Sequence, residues 1–160
     1  MLESYRLLLF LHVLSVVIAF GVTFAYPFIQ AAAERQGVAT TRFVLGAIER
    51  IEKVVVYPGS VLVFLFGAGL IFDDRTGYKD DFPGWLMAAI TWYIVAVVVA
   101  IFVQRPNVKR AMALLESAPD GALPPDYEPI GKRMQIVGGL LSLSVIGIAF
   151  LMVWGREGGF

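Results

Sequence analysis

The sequence predicts an all-α, polytopic integral membrane protein: one four-transmembrane-helix bundle spanning residues 1–160, with both termini on the outer side. Three observations predict it. First, 58 % of the residues are hydrophobic and only 16 % are charged, where a soluble domain carries about 25 % charged residues. Second, the apolar residues gather in four stretches, approximately 5–33, 54–72, 85–103 and 134–154. Three are close to the ~20 residues an α-helix needs to cross a ~30 Å hydrocarbon core, and the first is long enough to cross with some tilt. Third, the cations are asymmetric. Arg35, Arg42, Arg50, Lys53, Arg105, Lys109, Arg110, Lys132 and Arg133 fall on one side of the spans, against Arg6, Arg75, Lys79 and Arg156 on the other. That bias puts the basic connections in the cytoplasm.

The first span has no charge between Arg6 and Glu34. Its apolar core, from Leu7 to Ile29, exceeds the ~7–15 residues of a signal-peptide core, so it is expected to be retained as a helix. Its polar and small residues, Tyr5, His12, Ser15, Ala19, Thr23, Tyr26 and Gln30, recur at spacings of three, four and seven. At about 100° per residue they form one seam, the face expected to meet other helices.

The connection that follows, 34–53, contains an amphipathic surface helix at approximately 40–53, with Val44, Ile48, Ile51 and Val55 in helical register and a Glu49–Lys53 pair. The second span opens with Tyr57-Pro58, where a modest kink is tolerated, and carries Ser60, Gly67 and Gly69 for close helix contacts. Asp73 to Gly84 reads as an acidic loop rich in turn residues, and its aspartate spacing does not fit an EF-hand. In the third span Trp85, Ala89, Trp92, Ala96 and Ala100 form a large–small packing stripe. A short helix at approximately 106–117 and the breaker run PDGALPPDYEP lead to the fourth span, with Gly138, Gly139, Ser142, Ser144 and Gly147.

The absence of cysteine excludes disulfides, thiolate metal sites and iron–sulfur clusters. A net charge of zero gives no field for nucleic acid, and no P-loop, dinucleotide fingerprint, HExxH or serine-nucleophile motif is present. Composition and motifs therefore favour a non-catalytic protein whose partners are the lipid bilayer and other membrane subunits or copies of itself. His12, the one histidine, is the candidate for ligand chemistry, because polar side chains inside a bilayer face bundle interiors. Gly67, Thr91, Trp92 and Gly147 lie near its depth and, with His12 and Ser15, outline a haem-sized site with His12 as the metal ligand. The competing reading is an imidazole that donates one hydrogen bond to Ser15, Thr91 or a backbone carbonyl and locks two helices together. A second polar group, Tyr26, Gln30, Glu49, Lys53 and Tyr57, is read as a structural cluster fixing helix registry. The same cluster is the one hint of a small-solute or ion transporter, a weaker reading because no span is interrupted mid-membrane.

The stretches RLLLFLHVLSVVIAFGVTFAYPF, AIERIEKVVVYPGSVLVFLFGAGL and GWLMAAITWY resemble an uncharacterised family of bacterial four-helix "predicted integral membrane proteins". That resemblance implies a multi-pass protein of the bacterial inner membrane. More distantly the chain is similar to HemJ-type protoporphyrinogen oxidases and CopD-type copper-resistance membrane proteins. The HemJ-type resemblance implies haem binding through the histidine matched by His12. The third helix here, WLMAAITWYIVAVVVAIFVQRP, lacks the lysine and second histidine of those enzymes, so no oxidase activity is implied.

Overall fold

A computed structural model describes residues 2–156. Among the described residues, four helices are long and apolar enough to cross a membrane: Glu3–Glu34, Val38–Phe72, Gly84–Ser117 and Tyr127–Gly155. We refer to them as the first to fourth helices. With 29 to 35 residues each, they run roughly 44–53 Å at 1.5 Å per residue, well beyond a ~30 Å hydrocarbon core. The surplus lies at the basic end. The amphipathic segments expected at 40–53 and 106–117 are the basic-end parts of the second and third helices, Val38–Ile51 and Arg105–Ser117. The tail expected beyond the fourth span lies, from residue 157 on, outside the described residues.

Packing differs between the two ends. Toward the acidic loop the bundle resolves into two antiparallel pairs, first with second and third with fourth. Toward the basic end each helix packs on two neighbours: the first on the second and fourth, the third on the second and fourth. The hydrophobic core sits at this basic end. It is built of Val38, Leu45 and Ile48 from the second helix, Val108, Ala111 and Leu115 from the third, and Tyr127 and Met134 from the fourth. In the apolar halves the large side chains face outward instead, as with Phe10, Val17, Phe64, Phe102, Leu143 and Val153. That inversion suits a lipid solvent, which has no reason to expel them.

Three helices are broken, each just before a proline. A 3₁₀ turn over Val22–Ala25 precedes Pro27, a π turn over Glu52–Val56 precedes Pro58, and a π turn over Ala100–Gln104 precedes Pro106. Proline has no N–H and its ring collides with the carbonyl four residues earlier. A locally wider or tighter turn moves that carbonyl aside and lets the helix continue.

The basic end is closed by two touching loops. Gly37 adopts φ +93° and the Val38 N–H donates to Gly121 O at 2.9 Å. The Arg42 guanidinium reaches over to the end of the third helix, donating from Nε and Nη2 to Leu115 O at 3.1 and 2.7 Å and from Nη2 to Ala118 O at 3.2 Å.

Candidate functional site

His12, Ser15, Ala19, Gln30 and Ala33 are the buried residues of the first helix. They lie on one face and follow the three-and-four spacing of the seam. Small residues on both sides make that face possible: a Cβ on Gly59 would come within 2.5 Å of the Ala19 Cβ, so the two helices meet backbone to backbone there. About two turns farther along, the His12 ring fills the space that Gly67 leaves open. A Cβ at Gly67 would stand 3.1 Å from His12 Cε1.

The His12 Nδ1 is 3.0 Å from Val63 O. A carbonyl oxygen only accepts, so Nδ1 carries the proton and Nε2 keeps its lone pair. Ser15 is not its partner, because the Ser15 hydroxyl donates to Leu11 O at 2.7 Å within its own helix. Of the three partners the sequence leaves open for His12, the carbonyl is the one used.

The remaining residues of the candidate haem site lie on the other helix pair. The Trp92 ring covers Gly147 so closely that a Cβ there would meet Trp92 Cη2 at 2.5 Å. Thr91 is exposed on the outward side of the third helix. The structure thus brings together His12 and Gly67 across the first pair, and Trp92 and Gly147 across the second. A bond from Tyr93 Oη to Ser60 O, 2.7 Å, ties the third helix to the second. Among the described residues, no three histidine, cysteine or acidic side chains gather in a way that could hold a metal ion.

The expected polar cluster separates into three groups. Glu49 and Lys53 form an ion pair at 2.8 Å on the surface. Gln30 belongs with Glu34, whose carboxylate accepts from Gln30 Nε2 at 2.8 Å, Tyr127 Oη at 2.9 Å and Gln135 Nε2 at 2.7 Å. Sequence reasoning missed this clamp between the first and fourth helices. Its signal was the four-residue recurrence of Tyr127, Gly131 and Gln135 on one helical face. Beside it a hollow of about 320 Å³ opens at the surface, lined also by Pro124, Pro125, Glu128 and Lys132.

The third group surrounds Glu52, the first residue of the π turn in the second helix. Glu52 lies beside Tyr57 and within electrostatic reach of Tyr26 on the first helix and Arg105 on the third. Two residues beyond Arg105 lies Asn107, 4 % exposed, and just before Arg105 lies Gln104, which donates from Nε2 to Met134 O at 3.2 Å. The Tyr26 hydroxyl, Gln104 Oε1 and Asn107 Nδ2 are buried with no hydrogen-bond partner among the described residues.

A family model described as "Predicted integral membrane protein (DUF2269)" matches residues 6–155. No curated protein and no solved structure matches the chain.

Proposed function

The chain belongs to the DUF2269 family of predicted integral membrane proteins, and on that premise we propose that it is non-catalytic. In this reading it works by associating with other transmembrane helices, as an accessory or assembly subunit or as a homo-oligomer of the bacterial inner membrane. The observation that carries the reading is the outward face of the third helix. Gly84, Ala88 and Thr91 form the floor of an open hollow of about 580 Å³ between Met87, Trp92 and Val95. Small residues four apart on a membrane-exposed face let a second helix approach closely, and Thr91 adds a hydroxyl for an interhelical hydrogen bond. In the proposed orientation the basic end, with its packed core, faces the cytoplasm, and the lysine and arginine bias supports it.

The chain has no cysteine, so single cysteines report contacts cleanly. Ala88→Cys and Val95→Cys are expected to cross-link in membranes, to a second copy or to a partner of different mass, while buried Ala89→Cys is not. Absence of any cross-link along this face, together with a monomer that copurifies with nothing, would overturn the reading. Alkaline phosphatase fused to the C-terminus is expected to be active, and inactivity would reverse the orientation.

A second reading has one observation in its favour. With Nδ1 held by Val63 O, His12 presents the tautomer whose Nε2 serves as an axial haem ligand. A Soret band in purified protein, lost in His12→Ala, supports it; a colourless preparation after expression with ample haem rejects it.

A further inference from the structure

The unpartnered polar atoms and the helix breaks lie at one level of the bundle, and the cross-helix pairs fix that level. Leu8 meets Gly69, His12 meets Val63 and Gly67, and Ala19 meets Gly59, so continuing this antiparallel register brings Tyr26 opposite Glu52. On the other side Thr23 meets Ser142 at 3.4 Å and Gln30 meets Gly131 O at 3.4 Å, which brings Tyr26 level with Gly138. Gln104 lies at the same place, bonded to Met134 O and with its Nε2 3.5 Å from where a Gly138 Cβ would be. Tyr26, Glu52, Gln104 and Gly138 therefore mark one cross-section through all four helices. The 3₁₀ turn and both π turns end or begin at it.

The chemistry of this layer is incomplete within the protein. Tyr26 Oη can donate and accept, Gln104 Oε1 accepts and Asn107 Nδ2 donates, and none has a partner among the described residues. Glu52 makes no ion pair among the described residues, although Arg105 is within electrostatic reach. Buried polar groups left without partners are costly, and native proteins complete them with ordered water where the site is polar. On one side Tyr26 packs against the basic-end core. Prolines at three of the four helices loosen the backbone ladder at the same height.

We propose that this layer is a water-binding site. Bound water completes the hydrogen bonds of Tyr26, Gln104 and Asn107 and connects the Glu52 carboxylate with solvent beside the surface Glu49–Lys53 pair. The titratable and charged groups facing Glu52 are Tyr26 from the first helix, Glu49 and Tyr57 from its own, and Arg105 from the third. The fourth helix presents Gly138 and Gly139 at this height. The layer thereby gives protons a hydrated route to an acid group at the edge of the spans. This does not depend on whether the outward face of the third helix binds a partner.

Cysteine accessibility in the full-length protein tests it. Only a hydrated thiolate reacts with a small hydrophilic thiol reagent, so Asn107→Cys is expected to label roughly tenfold or more faster than Ala89→Cys. Both positions are buried, at 4 % and 0 % exposure, but Ala89 lies in an apolar helix contact. Ala122→Cys, in the exposed loop at the same end, sets the upper rate, and Gln104→Cys repeats the test if Asn107→Cys does not fold. Labelling of both layer cysteines no faster than Ala89→Cys would overturn the proposal. Asn107→Leu gives an independent reading. In a hydrated layer it lowers Tm, because the water loses a partner; in a dry layer it raises Tm, because an unpaired amide is removed. A raised Tm overturns the proposal.

Discussion

His12 gives its Nδ1 proton to the carbonyl of Val63 at 3.0 Å, and it reaches that carbonyl because Gly67, one turn on, has no side chain in the way. The pair is an interhelical bond made to backbone. The Val63 carbonyl also belongs to the helical ladder of its own helix, so the imidazole shares an acceptor and takes nothing from the second helix's fold. Interhelical hydrogen bonds inside membranes contribute about 0.6 kcal/mol on average and up to ~1.7. His12→Ala should therefore cost on the order of 1 kcal/mol of stability in detergent, by loss of this bond and of ring packing. Gly67→Val should cost at least as much, since its side chain must displace the ring. If the two substitutions act through the same contact, the double variant will be less than additive in thermal or denaturant unfolding. Full additivity would show that His12 stabilises the bundle elsewhere.

Glu34 ends the first helix as an acceptor for three neutral donors, Gln30, Tyr127 and Gln135. Glu34→Ala leaves two side chains of the fourth helix without their acceptor, and Tyr127 is 1 % exposed. The expected loss is about 1–3 kcal/mol, the cost of an unsatisfied buried polar group. Glu34→Gln keeps an acceptor oxygen but trades the charge-assisted bonds for weaker ones, so it should fall between the two. Circular dichroism melting of the purified variants gives the order; an Ala variant as stable as the parent would remove the clamp from the account.

How far the sequence could be read depended on whether a feature is local. The four spans are local, since twenty apolar residues state their own solvent. The buried face of the first helix was also legible, because His12, Ser15 and Ala19 obey helical spacing. Depth could be counted too, and it put Gly67 beside His12. Azimuth could not. Thr91 shares His12's depth, but it is about 100° around the helix from Trp92 and faces outward. The Glu34 clamp joins residues 93 and 101 positions apart; the recurrence of Tyr127, Gly131 and Gln135 marks a helical face but does not name its partner. The π turns were hidden for a different reason: Pro58 and Pro106 announce a lost hydrogen bond, but whether the helix kinks, tightens or widens depends on its neighbours.

The third and fourth helices depend on glycines under aromatic rings. Trp92 lies on Gly147, and Trp85 lies on Gly155 closely enough that an added Cβ would collide with its ring. Gly147→Ala forces a rigid indole out of van der Waals contact, and overpacking of this kind costs typically about 1–3 kcal/mol. Trp92→Leu in the same chain makes room and should recover part of the loss. Tryptophan fluorescence gives a local readout, with Gly147→Ala expected to shift emission as Trp92 moves into lipid. No shift and no destabilisation would mean that the ring does not rest on the glycine.

Arg42 ends the third helix from outside it. Its guanidinium donates to Leu115 O and Ala118 O, carbonyls left without N–H partners where that helix stops, and its charge suits the negative end of the helix dipole. The nearby carboxylate of Asp120, at 3.8 Å and largely exposed, adds little, because exposed ion pairs contribute about 0–1 kcal/mol. The two contributions can be separated. Asp120→Asn should leave stability almost unchanged. Arg42→Met, which keeps the aliphatic stem, should cost about 1–2 kcal/mol through loss of hydrogen bonds from a charged donor. Arg42→Lys should recover only part, since an ammonium is a point donor and cannot reproduce the two-nitrogen fork on Leu115 O. The damage should also be local. Hydrogen exchange should speed up at the end of the third helix and in the loop that follows, including the Val38 amide bonded to Gly121 O, while the spans stay protected. Equal destabilisation by Asp120→Asn and Arg42→Met would instead make the ion pair, and not the cap, the contact that matters.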